Sequence, residues 1–398
     1  MALTVHRRGF GGLIGGLAAT RLLAGPAQAL PRGFGGPNVI IVRFGGGVRR
    51  FETIDRQGSY APYLSQVLVK NGTLFPQMQI SPQSGVVTSH AQGTLYLLTG
   101  RYDGYYDVEG AFLRERFEPK TPTVFEYLRQ AFGVPAHQAL IVNGEDRKDE
   151  DFLTYSTDRH YGVRYRSAVL SLNQFKTYLL KRQIAEGAFA GEALTAAQAK
   201  LNALEALDYR REDVGPVAEL DAFWDRWREQ YGLSGFKNPR GDRLLTALAL
   251  RALKELRPKL LLVNYQDTDY VHWGNRSHYT RAISIIDEGL KQLVEATDAD
   301  EAYRGNTVII VVPDCGRDDN RLMAVPFQHH FGSASAHDIW ALLVGPRVAK
   351  GAIVDKPVEQ IAVAPTVGAL MGFKAEAAQG RVLAEAFACR RCARFLDS

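Results

Sequence analysis

Five short apolar runs punctuate the chain: Val39–Val42, Ala139–Val142, Leu260–Val263, Thr307–Val312 and Ile339–Val344. Each is four to six residues long and has no polar alternation, the pattern of strands buried on both faces. The first run, within Pro37–Phe44, ends in Gly45-Gly46-Gly47, so a central strand should open into a tight loop there. Helical patterning separates the runs. An amphipathic helix begins at Thr123, another spans Leu244 to Leu256, and Thr88 or Ser89 is placed to cap a helix through Leu98. Strands alternating with helices predict an α/β fold with a central, mostly parallel mixed sheet sandwiched between helices. In such sheets, sites gather at the carboxyl ends of the strands.

Residues ~150–240 break this rhythm. The stretch is rich in charge, alanine and aromatics, and reads as a helical insertion or cap. Leu201, Leu204 and Leu207 share one helical face, and Trp224, Trp227 and Tyr231 another. Such an aromatic stripe serves either as a substrate platform or, more commonly, as packing against the main domain.

With 398 residues, 46% hydrophobic and 23% charged, the composition is globular. It excludes a disordered, collagen-like or disulfide-stapled chain. No apolar run approaches the roughly 18 residues of a membrane span, so no integral membrane segment is expected in the mature form. The net charge of +5 owes three units to Arg7, Arg8 and Arg21 in an acid-free leader. The remainder is nearly neutral and gives no basis for nucleic-acid binding.

That leader, residues 1–29, reads as a cleaved export signal. Arg7-Arg8 is followed two residues later by Phe10, the apolar stretch to Ala24 is short and glycine-rich, and Ala27-Gln28-Ala29 supplies the small residues of a cleavage site. The arginine pair and weak hydrophobicity point to the twin-arginine machinery as a partner, cleavage after Ala29 and a periplasmic destination. Residues 30–398 would then form the mature domain. Of the three cysteines, Cys389 and Cys392 form a C-x-x-C near the C-terminus, where a local disulfide is expected in an oxidising compartment. Without a second such pair, a four-cysteine zinc site is excluded.

Candidate chemistry follows the strands. In Asn264–His272, Asp267, Asp269 and His272 lie just beyond a buried strand. The spacing lets a carboxylate and an imidazole share a divalent cation, or else gives a loop of solvated acids. Asp314-Cys315-Gly316-Arg317 follows the Thr307–Val312 run, and His329-His330 precedes His337, which abuts the last strand. Thr88-Ser89-His90 places hydroxyls at a helix start, where an attacking alkoxide or a bound anion is electrostatically favoured and where simple capping is equally served.

Taken in order, these segments resemble the alkaline phosphatase superfamily. Pro37–Val42 is similar to its first strand, Leu97-Leu98-Thr99-Gly100-Arg101-Tyr102 to the helix end after its nucleophile, and Ile361–Gly372 to its closing helix. The series Asp269/His272, Asp314, His337 follows its metal-ligand order. The resemblance covers most of residues 37–388 outside the insertion. It implies phosphate- or sulfate-ester chemistry, with a hydroxyl nucleophile and one or two metal ions stabilising the developing charge. By position, Asp269 or Asp267, His272 and His337 form one metal site. Asp314, with Cys315 beside it, serves the second, and Thr88 or Ser89 attacks. His90 and Arg317 are expected to contact substrate.

The departures are equally specific. The first strand ends in Arg43-Phe44-Gly45-Gly46-Gly47 where the family carries a ligating Asp, so Gly46 stands near the place of a carboxylate. The family's Asp-His pair reads Asp314-Cys315. No cysteine lies in the context that sulfatases convert to their nucleophile. One divalent ion (zinc, manganese, calcium or magnesium) is therefore expected, with the Arg43 guanidinium standing in for the second cation. The resulting expectation is an exported metal-dependent hydrolase of a small-molecule phosphate or related ester, with a partly degenerate two-metal site. The alternative is an inactive relative serving as a periplasmic binding or envelope-assembly module.

Overall fold

The computed structural model describes residues 33–108, 116–144, 151–205, 217–234, 241–272, 274–320, 322–329 and 332–388. The leader and the Cys389/Cys392 pair lie outside them. The strands are β1 (Asn38–Arg43), β2 (Gly72–Gln79), β3 (Tyr105–Asp107), β4 (Phe117–Pro119), β5 (Ala139–Val142), β6 (Ala168–Leu170), β7 (Leu260–Asn264), β8 (Thr307–Val312), β9 (Asp338–Val344), β10 (Ala352–Ile353) and β11 (Val358–Glu359). Nine of them form one sheet in the order β10-β2-β9-β8-β1-β7-β5-β6, with β11 also paired to β2; β3 and β4 make a separate hairpin. Pairing is parallel from β8 through β6 and antiparallel where β9 meets β8 and β2. This is the mostly parallel mixed sheet that the apolar runs predict.

Alternation along the strands builds the two layers. Val39 and Ile41 join the core under helices His90–Thr99, Val124–Phe132 and Val363–Met371. Ile40 and Val42 point the opposite way, into the core under helices Asp242–Glu255 and Arg276–Ala299. A continuous apolar run is thus divided residue by residue between two cores. Among the described residues, no helix is long and apolar enough to cross a membrane.

Two features depart from the sequence pattern. Strand β2 contains Pro76, and its register with β9 shifts between Phe75 and Met78. Proline cannot donate to the ladder, so the pairing bulges around it. The stretch at 150–240 holds β6, which extends the main sheet, together with helices Leu172–Ala185, Gly191–Glu205 and Ala218–Tyr231. Phe175, Phe223, Trp224 and Trp227 are buried in the main core, so this aromatic stripe is packing. Leu201 and Leu204 form a small satellite core with Leu180 and Ala197, while Leu207 falls outside the described residues.

The register brings the candidate chemistry together. Arg43, at the end of β1, sits opposite Asn264 of β7 and Val312 of β8. The segments leaving these three strands therefore emerge side by side. Helix His90–Thr99 approaches the same edge closely: a Cβ on Gly93 would lie 2.2 Å from the Asp314 carbonyl oxygen. Only glycine permits that approach.

Candidate active site

The floor of the site is the turn Gly45-Gly46-Gly47. Gly46 and Gly47 have φ of +92° and +75°, and a Cβ on Gly46 would lie 2.3 Å from Thr268 Oγ1. Their backbone N–H groups donate to the Asp314 carboxylate at 3.3 and 3.2 Å, and Cys315 N donates to it at 2.9 Å. Arg317 fixes the turn from beneath. Its Nε donates to Gly47 O at 2.7 Å, and its other nitrogens donate to the carbonyls of Gly46 and Phe327. Arg43 is fully buried beside the turn. Its Nη1 donates to Thr94 Oγ1 at 2.5 Å and to His90 O at 3.2 Å, and lies 3.5 Å from Asp314 Oδ2.

Four side chains converge above this floor. His90 Nε2 lies 2.7 Å from Asp269 Oδ1, His272 Nε2 2.8 Å and His329 Nε2 3.6 Å. The other nitrogen of His90, Nδ1, lies 2.6 Å from Asp314 Oδ2. His329 Nδ1 lies 2.8 Å from Thr88 O. A carbonyl only accepts, so His329 Nδ1 carries the proton, and in the neutral ring Nε2 presents a lone pair toward the Asp269 carboxylate. His90 faces two carboxylates with its two nitrogens, an arrangement that also demands positive charge. Burial would raise Asp269, but the His90 charge and hydrogen bonds from His272, His329 and His90 outweigh it and hold the carboxyl far below the usual range. Burial likewise opposes ionisation of Asp314, and the His90 and Arg43 charges override it.

The residues fit a divalent cation. The ligand atoms of His90, Asp269, His272 and His329 all lie within 4.8 Å of one another. Three imidazoles and one carboxylate suit a borderline ion such as zinc. An ion between them also resolves the clash of lone pair and carboxylate at His329. A second group, His90, Asp314 and Cys315, is poorer. Burial and the Asp314 charge push the Cys315 thiol up to about 11, which disfavours a thiolate ligand.

Several residues occupy places other than those expected. His337 belongs to neither group; its Nδ1 lies 3.1 Å from Ile80 O, and His329 stands with Asp269 and His272. Asp267 turns toward the start of helix Asp242–Glu255, accepting from Asp242 N at 3.1 Å while its own N–H donates to Asp242. Arg317, expected to contact substrate, is buried and committed to backbone carbonyls, as above. Thr88 donates its hydroxyl to His329 O. Ser89 caps the helix, accepting from Gln92 N at 3.3 Å and donating to Gln92 Oε1 at 2.6 Å. His90 is the side chain at this helix start that reaches the acidic cluster. His329 carried a weak sequence signal, one histidine of an adjacent pair; its partner His330 lies outside the described residues.

Neither a protein-family model nor a curated protein sequence matches the chain. Solved structures do. A protein in the alkaline phosphatase superfamily from Vibrio parahaemolyticus matches with a TM-score of 0.52 at 16% identity, covering 88% of this chain and 70% of that one. The wild-type alkaline phosphatase PafA matches with a TM-score of 0.55 at 13% identity over 90% of this chain and all of that one. BT1596, a 2-O GAG sulfatase, gives 0.52 at 12% identity over 90% and 75%. The chain thus has the alkaline-phosphatase-like α/β fold. At these identities the likeness is one of fold.

Proposed function

We propose that this chain is a single-metal hydrolase of phosphate or sulfate esters, exported in folded form by the twin-arginine route to the periplasm. One observation carries the reading: three imidazole Nε2 atoms converge on a single oxygen of Asp269 at the carboxyl edge of the sheet. Asp269, His272 and His329 would hold the ion. Such an ion supplies Lewis-acid polarisation of an ester oxygen and stabilises a leaving group.

The neighbouring position argues against a second ion. Asp314 already accepts three backbone N–H groups and faces the Arg43 guanidinium and the His90 imidazole. Arg43 thereby supplies fixed positive charge where a second cation would otherwise be needed, in a dry site where such charge acts strongly. Asp269 and His272 are each about one-fifth exposed, whereas Asp314 is fully buried. An ester would therefore approach from the Asp269/His272 side, past the exposed ring of Tyr270.

The competing reading, a binding module without turnover, is favoured by the hydroxyls of Thr88 and Ser89, both engaged within the protein. Metal content of the purified mature protein, measured beside aryl phosphate mono- and diesters and aryl sulfates, decides between them. One ion per chain and ester cleavage abolished by a chelator are expected. Metal-loaded protein that cleaves none of these esters would establish the non-hydrolytic reading.

A further inference from the structure

We infer that His90 is the nucleophile of this site, forming a covalent N-phosphoryl intermediate through Nε2; the inference rests on the hydrolytic reading above. Three observations lead there. His90 is the first residue of helix His90–Thr99 and is held down by Gly93 and by the Arg43 bond to its carbonyl. Its Nδ1 is anchored 2.6 Å from a buried carboxylate, Asp314 Oδ2. Its Nε2 points at Asp269 Oδ1, 2.7 Å away, among the residues that would hold the ion. The two hydroxyls nearest in sequence, Thr88 and Ser89, are turned to His329 O and Gln92.

The Asp314 contact fixes the tautomer. With the proton on Nδ1 and donated to Asp314, Nε2 carries the lone pair. Once Asp269 is committed to a cation, it no longer accepts a proton from Nε2. A carboxylate-anchored imidazole is then a nucleophile whose ring cannot rotate away. The Nε2 lone pair attacks phosphorus and an Nε2–P bond forms. The P–O bond to the leaving group breaks, and its electron pair departs with the aryloxide. Water then attacks phosphorus, the N–P electron pair returns to Nε2, inorganic phosphate leaves and the remaining proton passes to solvent. No oxidant, reductant or second substrate is needed. The Arg43 guanidinium and Gly46/Gly47 turn keep Asp314 ionised throughout, because they stabilise its charge independently of the ring.

The experiment is rapid quenching of the metal-loaded full-length mature protein with an aryl phosphate, followed by intact-mass and peptide analysis under alkaline conditions that preserve phosphohistidine. One added phosphoryl group on His90 is expected. The adduct should be lost in acid, unlike a phosphoserine or phosphothreonine ester. His90→Asn should abolish adduct and lower kcat/KM by roughly 10³-fold or more, while retaining the metal on Asp269, His272 and His329. Loss of the ion from an otherwise folded His90→Asn variant would make His90 a ligand and overturn the proposal. An adduct on Thr88 or Ser89 would overturn it too. Steady hydrolysis without any adduct would sink the covalent step but leave the hydrolytic reading standing, whereas no hydrolysis of any ester removes both.

Discussion

His90 Nδ1 lies 2.6 Å from Asp314 Oδ2, tying the first residue of one helix to the loop that leaves strand β8. Asp314 is fully buried, and its remaining partners are donors. The carboxylate therefore positions His90 and dictates which ring nitrogen carries the proton. Asp314→Asn removes that control, because an amide can donate as well as accept. By analogy with the triad aspartate, turnover should fall by about 10²–10⁴-fold. Metal content should stay at one ion, since Asp314 lies outside the Asp269 group. Steady-state kinetics beside metal analysis test this; loss of the ion in Asp314→Asn would contradict the division between positioning and metal binding.

The metal site makes a sharper demand. His272→Ala and His329→Ala should each lose stoichiometric metal, because two remaining ligands hold a divalent ion poorly. His337→Ala should keep it, as that ring belongs to neither cluster. His137→Ala and His160→Ala should also keep it. Elemental analysis of the five variants settles the ligand set; metal lost from His337→Ala and retained by His329→Ala would reverse it.

The sheet was legible because burial on both faces leaves unbroken apolar runs, and five strands stand where those runs lie. β2 escaped because Pro76 interrupts its pattern, and β6 because three residues carry no period. Asp269, His272 and Asp314 could be picked out as strand-end residues. The choice among neighbouring residues could not, since it depends on which way each side chain turns. Ser89 and His90 are adjacent, yet one caps its own helix and the other reaches Asp269. Asp267 and Asp269 are two apart in a tight turn and face different elements. His329 and His337 lie in one loop, and only the full fold shows which returns to the site.

A buried cap elsewhere gives the chain a pH dependence unrelated to catalysis. Glu126 accepts from Thr123 N, Ser156 N and Ser156 Oγ, but burial dominates and pushes it up from 4.5 to about 7. Asp287, accepting from Tyr63 N and Leu64 N, is likewise pushed by burial to about 6. The folded chain thus holds these protons more tightly than the unfolded chain. Their contribution to stability is complete below the unfolded pKa and is lost as pH rises through the folded one. For Glu126 that window runs from 4.5 to about 7. Thermal unfolding should show a smaller decline across it in Glu126→Gln than in the parent. A constant offset between the two Tm profiles would refute the assignment.

The glycine turn explains why the lost carboxylate cannot simply be returned. Gly46 lies near the place of the family's first-strand ligand, which invites restoring the second metal with Gly46→Asp and Cys315→His. The structure opposes both changes. At φ +92°, an L side chain is strained, and a Cβ there meets Thr268 Oγ1 at 2.3 Å, Asp269 N at 2.6 Å and Gln266 O at 2.9 Å. Two of those contacts are backbone and cannot rotate aside. The displaced segment carries Asp269, so the change would disturb the first metal site rather than build a second. Cys315 is fully buried against His90, with its Sγ 3.9 Å from Nδ1, and an imidazole exceeds the space a thiol fills. Gly46→Ala alone should cost about 1–3 kcal/mol of stability, the usual range for overpacking. Gly46→Asp with Cys315→His should bind fewer ions than the parent, not more. Denaturant unfolding and metal stoichiometry measure the two effects. A well-folded double variant with an unshifted midpoint and two ions would show that the turn yields, and that the site's degeneracy lies in its side chains alone.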